Sequence, residues 1–158
     1  MLGVGEIAPD FSAVTSRGDT FHLGGVRGRP VVLYFYPKAG TPGCRAEANE
    51  FARHYPEFER AGVTVVGVSV DPPDAQRRFS DECSLPFPLV ADPERAIARQ
   101  YGVLGFLGMA KRVTFWIGSD GRIEEVIAGM LPGPHVRGAL ERLTRSETGA
   151  GSTGPPPG

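Results

Sequence analysis

The chain has 158 residues, a formal net charge of -1, and 41% hydrophobic and 22% charged residues. Its length suits one globular domain with a sizeable core, and its near-neutral charge excludes long-range attraction to nucleic acid or an anionic membrane as the basis of function. Two cysteines are too few for a secreted disulfide scaffold, and the longest uncharged apolar runs, 31–37 and 101–110, are too short to span a bilayer.

Residues 1–6 carry neither the basic region nor the apolar run of a signal peptide, so the reducing cytoplasm is the expected compartment. Short strands are predicted at 11–14 and 20–23, around the turn Ser16-Arg17-Gly18-Asp19. The apolar run Val31-Val32-Leu33-Tyr34-Phe35-Tyr36 predicts a buried strand that leads into Pro37-Lys38-Ala39-Gly40-Thr41-Pro42-Gly43-Cys44. Phe51, Tyr55 and Phe58 then recur at i, i+4, i+7, predicting a helix from the Cys44 region to about residue 60. A strand at 63–70 stops at Asp71-Pro72-Pro73, and a helix over 73–84 is expected to carry Phe79 and Cys83 on one face. A short strand at 89–90 and a helix near 93–101 follow. Residues 112–117 and 122–128 predict a hairpin around Gly118-Ser119-Asp120-Gly121, with Trp116 in the core. Val136, Leu140 and Leu143 mark a final helix. From Ser146 onward the composition is dominated by Gly, Ser, Thr and Pro, which predicts one domain at 1–145 and a disordered tail at 146–158. The order β-β-β-α-β-α-β-α-β-β-α predicts an α/β architecture, a mixed central sheet flanked by helices that resembles the thioredoxin fold. Fold alone does not give function.

Cys44 falls at a loop-to-helix junction, in the first turn of its helix. The N–H groups there lack intrahelical partners and the macrodipole favours negative charge, so the position suits a thiolate, the reactive form of cysteine. His22, His54 and His135 are dispersed without metal-ligand spacing and read as structural or solvated.

Pro37, Thr41 and Cys44 match the PxxxTxxC signature of peroxiredoxins. The wider string from Tyr34 to Cys44, with Glu47 three residues on, resembles the bacterioferritin comigratory protein or peroxiredoxin Q branch of these AhpC/TSA-like thiol peroxidases. Lys111-Arg112-Val113-Thr114-Phe115 and the run 87–93 are similar to further blocks of that branch, and the resemblance covers about residues 4–144. It implies that a Cys44 thiolate attacks hydrogen peroxide or an organic hydroperoxide and becomes a sulfenic acid. An ordinary thiol of pKa about 8.5 is about 3% ionised at pH 7. Lowering its pKa by ~2.5 units raises the thiolate fraction roughly 30-fold but costs about tenfold in nucleophilicity, a net gain of only a few-fold. The larger share of catalysis must come from stabilising the departing oxygen and aligning the O–O bond. The resemblance assigns Arg112 as the cationic fork at the sulfur and Thr41 as a hydroxyl partner of the peroxide. It also makes Pro37 an apolar wall and Glu47 the residue that orients Arg112. Sulfur itself cycles through oxidation states, so no haem, flavin or metal cofactor is implied. The implied reductant is thioredoxin, glutaredoxin or a low-molecular-weight thiol, and the implied state is a monomer, with a dimer as the alternative.

The branch pattern breaks at Asn49, where many members carry a resolving cysteine, which rules out that local disulfide. Another arrangement in the family puts the resolving cysteine nearer Ser80; Cys83 lies about one turn beyond, and both a resolving role and a buried structural thiol stay open. The apolar segment 103–109 is expected to admit bulky hydroperoxides, flank a partner's docking surface, or fold onto the core. Two other functions compete: a redox sensor or holdase switched by Cys44 oxidation, and a general thiol–disulfide oxidoreductase. The latter is weakened because Thr41 stands where a Cys-x-x-Cys motif needs its first cysteine.

Overall fold

The computed structural model describes the backbone of residues 1–152 and the side chains of residues 1–146. The elements in chain order are β1 (Ser12–Val14), β2 (Thr20–His22), a 3-10 turn (Leu23–Val26), β3 (Val31–Phe35) and α1 (Pro42–Arg60). They continue with β4 (Thr64–Ser69), α2 (Pro73–Cys83), β5 (Leu89–Ala91), α3 (Ala96–Tyr101), β6 (Val113–Ile117), β7 (Ile123–Ala128) and α4 (Pro132–Ser152). Five strands form one mixed sheet in the order β5-β4-β3-β6-β7, parallel from β3 to β5 and antiparallel from β3 to β7. β1 and β2 form a separate two-stranded antiparallel sheet. This is the expected thioredoxin-like layering.

Strand parity explains the two cores. All five residues of β3 are buried, so both faces of that strand must be covered. Val31, Leu33 and Phe35 point into a cluster with Val66, Tyr101 and Phe115, closed by α3 and the amino-terminal segment. Val32 and Tyr34 point the other way, into a cluster with Phe51, Phe79, Trp116 and Val136 that is closed by α1, α2 and α4. Cys44 and Tyr36 belong to this second cluster. β6 obeys the same rule: Trp116 joins the second cluster, while Val113, Phe115 and Ile117 join the first.

Several boundaries differ from those expected. α3 begins at Ala96 rather than near residue 93 because Asp92 reaches over the intervening turn: its carboxylate accepts the N–H groups of Ile97 and Ala98 at 3.1 and 2.9 Å. Arg95 supplies the sharp entry with φ of 63°. Arg112 precedes β6 instead of starting it, which frees its side chain from strand packing. The tail expected at 146–158 falls, apart from Ser146, on side chains outside the described residues; α4 carries the backbone through Ser152, and 153–158 lie beyond it. Among the described residues, no helix is long and apolar enough to cross a membrane.

Candidate active site

The site lies where the parallel strands end, the usual place for chemistry in an open α/β sheet. β3 runs out at Phe35, and Tyr36 still donates its N–H to Val68 at 3.0 Å. The next residues turn across the sheet end, held by Ala39 N–H donating to the Asp71 carboxylate at 2.7 Å. Asp71 is itself held by the Ser69 hydroxyl at 2.6 Å. The Gln76 amide donates to Ser69 Oγ at 3.0 Å and to the Val90 carbonyl at 2.8 Å, and the Tyr36 hydroxyl donates to Gln76 Oε1 at 2.5 Å. This buried polar chain ties the Cys44 loop to the ends of β4 and β5 and to α2.

Thr41 is the N-cap of α1 and Pro42 its first residue, a position that suits proline because no N–H is needed there. The Thr41 hydroxyl donates to the Lys38 carbonyl at 2.7 Å, which leaves its oxygen lone pairs free to accept. Arg45 N–H is bonded to the Thr41 carbonyl at 2.8 Å, so the N–H groups of Gly43 and Cys44 stand at the open end of the helix. Cys44 is in the first turn as expected, and its side chain is buried.

Arg112 comes to this sulfur through strand register. Phe35 pairs with Val113, so the residue before β6 lies beside the residue after β3. All three guanidinium nitrogens are engaged: Nη2 is 3.5 Å from Cys44 Sγ, Nε donates to the Met130 carbonyl at 2.8 Å, and Nη1 donates to Glu47 Oε1. A Cβ on Gly43 would sit 3.1 Å from Nη2, so any side chain there would push the guanidinium back by a few tenths of an ångström.

Glu47 lies one turn beyond Cys44 and is wholly buried. Burial pushes its carboxyl up to about 7 although the Arg112 charge and hydrogen bond oppose the rise. Burial also works against the Arg112 charge, but Glu47 and Cys44 outweigh it and hold that pKa above the ordinary value. Within the pair, therefore, Arg112 keeps its charge and Glu47 is the member that takes a proton as pH falls.

Pro37 and Arg112 form one wall of an open cavity of about 640 Å³, whose other walls include Phe106, Leu107, Met109 and Met130. Phe106 and Met130 are 96% and 89% exposed, so the cavity presents an apolar rim to solvent. The segment 103–109 divides: Val103 is buried in the first cluster with Leu104 packed against it, while Phe106, Leu107 and Met109 line this cavity.

Cys83 and Cys44 are both free thiols. Cys83 is the last residue of α2, half-buried against the second cluster, with Sγ 3.6 Å from Arg45 Nη1. Burial pushes its thiol up, and Arg45 opposes that. Arg45 also pairs with Glu82 at 3.0 Å, so one arginine of α1 spans to the end of α2.

The structure thus brings together Pro37, Thr41, Cys44, Glu47 and Arg112, while Cys83 lies across Arg45 at the end of α2. Two neighbouring groups are not evident from the sequence. The Met130 carbonyl is a backbone group and leaves no residue-type signal. His135, expected as structural or solvated, is wholly buried beside Glu47, with Nδ1 4.0 Å from Oε2. Among the described residues, no group of three His, Cys, Asp or Glu side chains is arranged to hold a metal ion.

The AhpC/TSA family matches residues 4–126 of the chain. The chain is 39% identical over 132 residues to peroxiredoxin Bcp of Escherichia coli K12, covering 79% of this chain and 85% of that protein. The crystal structure of peroxidoxin BcpB from Mycobacterium tuberculosis is 34% identical, superposes with a TM-score of 0.85, and covers 92% of this chain and 98% of its own. A structure of the Xanthomonas campestris bacterioferritin comigratory protein, described for its alkyl peroxide reduction activity, is 29% identical with a TM-score of 0.81 and covers 86% and 91%. With a family match over most of the chain and a shared fold, the chain belongs to the AhpC/TSA family, as a peroxidase of the Bcp and peroxiredoxin Q kind.

Proposed function

We propose that the chain reduces hydrogen peroxide and organic hydroperoxides at Cys44. The observation that carries this reading is the Arg112 guanidinium, 3.5 Å from Cys44 Sγ and held on its other nitrogens by Glu47 and the Met130 carbonyl. The Cys44 thiolate attacks the terminal hydroperoxide oxygen. An S–O bond forms as the O–O bond breaks, sulfur gives up two electrons, and the departing oxygen takes a proton to leave as water or an alcohol. Negative charge passes from sulfur to the departing oxygen, and a fixed cation beside both stabilises that transfer without reorganising. The N–H groups of Gly43 and Cys44 and the Thr41 hydroxyl complete the polar surround; Pro37 limits water; Glu47 orients Arg112.

Cys83 is the resolving thiol in this reading. It condenses with the Cys44 sulfenic acid to a disulfide with loss of water, and a thioredoxin, glutaredoxin or small thiol then returns both sulfurs to thiols. Its place at the last residue of α2, with Sγ against Arg45 of α1, supports this, because helix ends open at low cost. The protein acts as a monomer in the cytoplasm, where both cysteines stay reduced between turnovers.

The apolar cavity beside Pro37 and Arg112 supports organic hydroperoxides as substrates. Stopped-flow oxidation by cumene hydroperoxide and by hydrogen peroxide tests the whole reading. Phe106→Ala is expected to slow the cumene reaction about fivefold while leaving the hydrogen peroxide rate within about twofold. Thr41→Val is expected to slow both about tenfold. Equal rates for wild type and Thr41→Val with both oxidants would remove Thr41 from the mechanism, and a cumene rate indifferent to Phe106 would remove the cavity from substrate selection.

A further inference from the structure

His135 is a buried titratable ring that the reaction described above does not use. Its Nε2 is 2.8 Å from the Gly129 carbonyl, which only accepts, so Nε2 carries the proton. Its Nδ1, 2.8 Å from Thr114 Oγ1, then accepts from the threonine hydroxyl. The neutral ring therefore has a fixed tautomer with both nitrogens occupied. Its surroundings hold Arg112 from two sides. The bonded Gly129 directly precedes Met130, whose carbonyl holds Arg112 Nε, and Gly129 N–H returns to the Arg112 carbonyl at 3.4 Å. Gly129 has φ of 139°, so the bend that aims these carbonyls favours glycine. On the other side, Glu47 Oε2 has no hydrogen-bond partner among the described residues and lies 4.0 Å from His135 Nδ1, while Oε1 holds Arg112 Nη1.

We propose that His135 is a positioning residue for the peroxidase reaction: by holding the Gly129 carbonyl it fixes the turn whose next carbonyl, that of Met130, anchors Arg112 Nε, and so sets where the guanidinium meets Cys44 and the peroxide. The inference rests on the role proposed for Cys44 and Arg112. It predicts a specific separation of two reactions of the same sulfur. Oxidation by peroxide needs the aligned fork, because small misplacements of a preorganised group are costly. Alkylation by iodoacetamide has no O–O bond to polarise and depends on the fork far less.

The test measures both reactions at Cys44 in folded His135→Asn, His135→Gln and Thr114→Val, with thermal melts to check the fold. Asn is too short to reach the Gly129 carbonyl, whereas Gln places an amide N–H near the position of Nε2. His135→Asn is expected to slow oxidation by hydrogen peroxide about tenfold with alkylation changed less than about threefold. His135→Gln is expected to restore oxidation to within about threefold of wild type. Thr114→Val, which removes the hydroxyl donating to Nδ1 and so loosens the ring while leaving Nε2–H on the Gly129 carbonyl, is expected to slow oxidation about threefold with alkylation unchanged. Wild-type oxidation in His135→Asn, or oxidation and alkylation falling in parallel, overturns the positioning role. Should His135→Asn not fold, wild-type oxidation in Thr114→Val overturns it instead. A wild-type Cys44 that peroxide leaves untouched overturns the peroxidase reading itself, whereas fast wild-type oxidation unchanged by the variants overturns only the part assigned to His135.

Discussion

Arg112→Lys is expected to lower the second-order rate of Cys44 oxidation by hydrogen peroxide about 100-fold while the protein stays folded. Charge is conserved in this substitution, so the loss must come from geometry. Arginine meets three partners at once: the Cys44 sulfur at 3.5 Å, the Met130 carbonyl at 2.8 Å and the Glu47 carboxyl. A lysine ammonium is a single point at the end of a flexible stem, and wherever it settles it abandons part of this set. The buried Glu47 attracts it most strongly, which draws the cation away from the sulfur and the departing oxygen. A factor of 100 is about 2.7 kcal/mol, within the range found when one preorganised donor is removed from a charge-stabilising site. Stopped-flow rates with circular dichroism on the same samples check it. A folded Arg112→Lys protein oxidised within about threefold of wild type would remove the guanidinium from the mechanism.

The second large effect concerns stability and pH. The Glu47 carboxyl titrates at about 7 in the folded protein because burial penalises its charge more than Arg112 relieves it. In the unfolded chain it titrates at about 4.3. Below both values the carboxyl is neutral in either state, and the folded form keeps its full contribution. Between them the unfolded chain releases the proton while the folded protein retains it, so stability falls as pH rises and the loss is complete above about 7. Glu47→Gln cannot titrate and keeps an oxygen for Arg112 Nη1. Relative to wild type it is expected to gain about 2–3 kcal/mol between pH 5 and 8, read from urea unfolding at each pH. The His135 contribution has the opposite sign. Burial lowers its pKa, so its share of stability is present above about 6.5 and is lost as pH falls through the folded value. It is common to both proteins in the comparison. A stability difference that stays flat from pH 5 to 8 would mean that Glu47 ionises in the folded protein as it does in water.

What was legible in the sequence was what short-range physics writes there. The run 31–36 is apolar at every position, which announces a strand covered on both faces, and alternation then assigns its residues to the two cores. The Thr41-Pro42 entry placed Cys44 in the first turn of a helix, and three residues of helix brought Glu47 to its side. Long-range placement is where local reading stops. Arg112 reaches Cys44 only because β6 lies antiparallel beside β3 in the register Phe35 to Val113, a fact no window around either residue contains. The motif supplied it instead. For His135 there is no motif, and two of its neighbours, Thr114 and Glu47, come from distant parts of the chain. The start of α3 is hidden for a similar reason, since Asp92 reaches forward over a turn that three-residue capping patterns do not describe.

The measurement that bears most directly on Cys44 is the intact mass and peptide map of reduced Cys83→Ser after one equivalent of hydrogen peroxide, with wild type treated alongside. In the variant only one cysteine remains, so the expected result is a gain of one oxygen confined to the Cys44 peptide, and in wild type a loss of two hydrogens as the Cys44–Cys83 disulfide closes. Wild type that instead retains the oxygen would remove Cys83 from the cycle and leave Cys44 in place. An unchanged mass in Cys83→Ser, with Cys44 reduced and still open to alkylation, would contradict Cys44 as the peroxide-reducing sulfur.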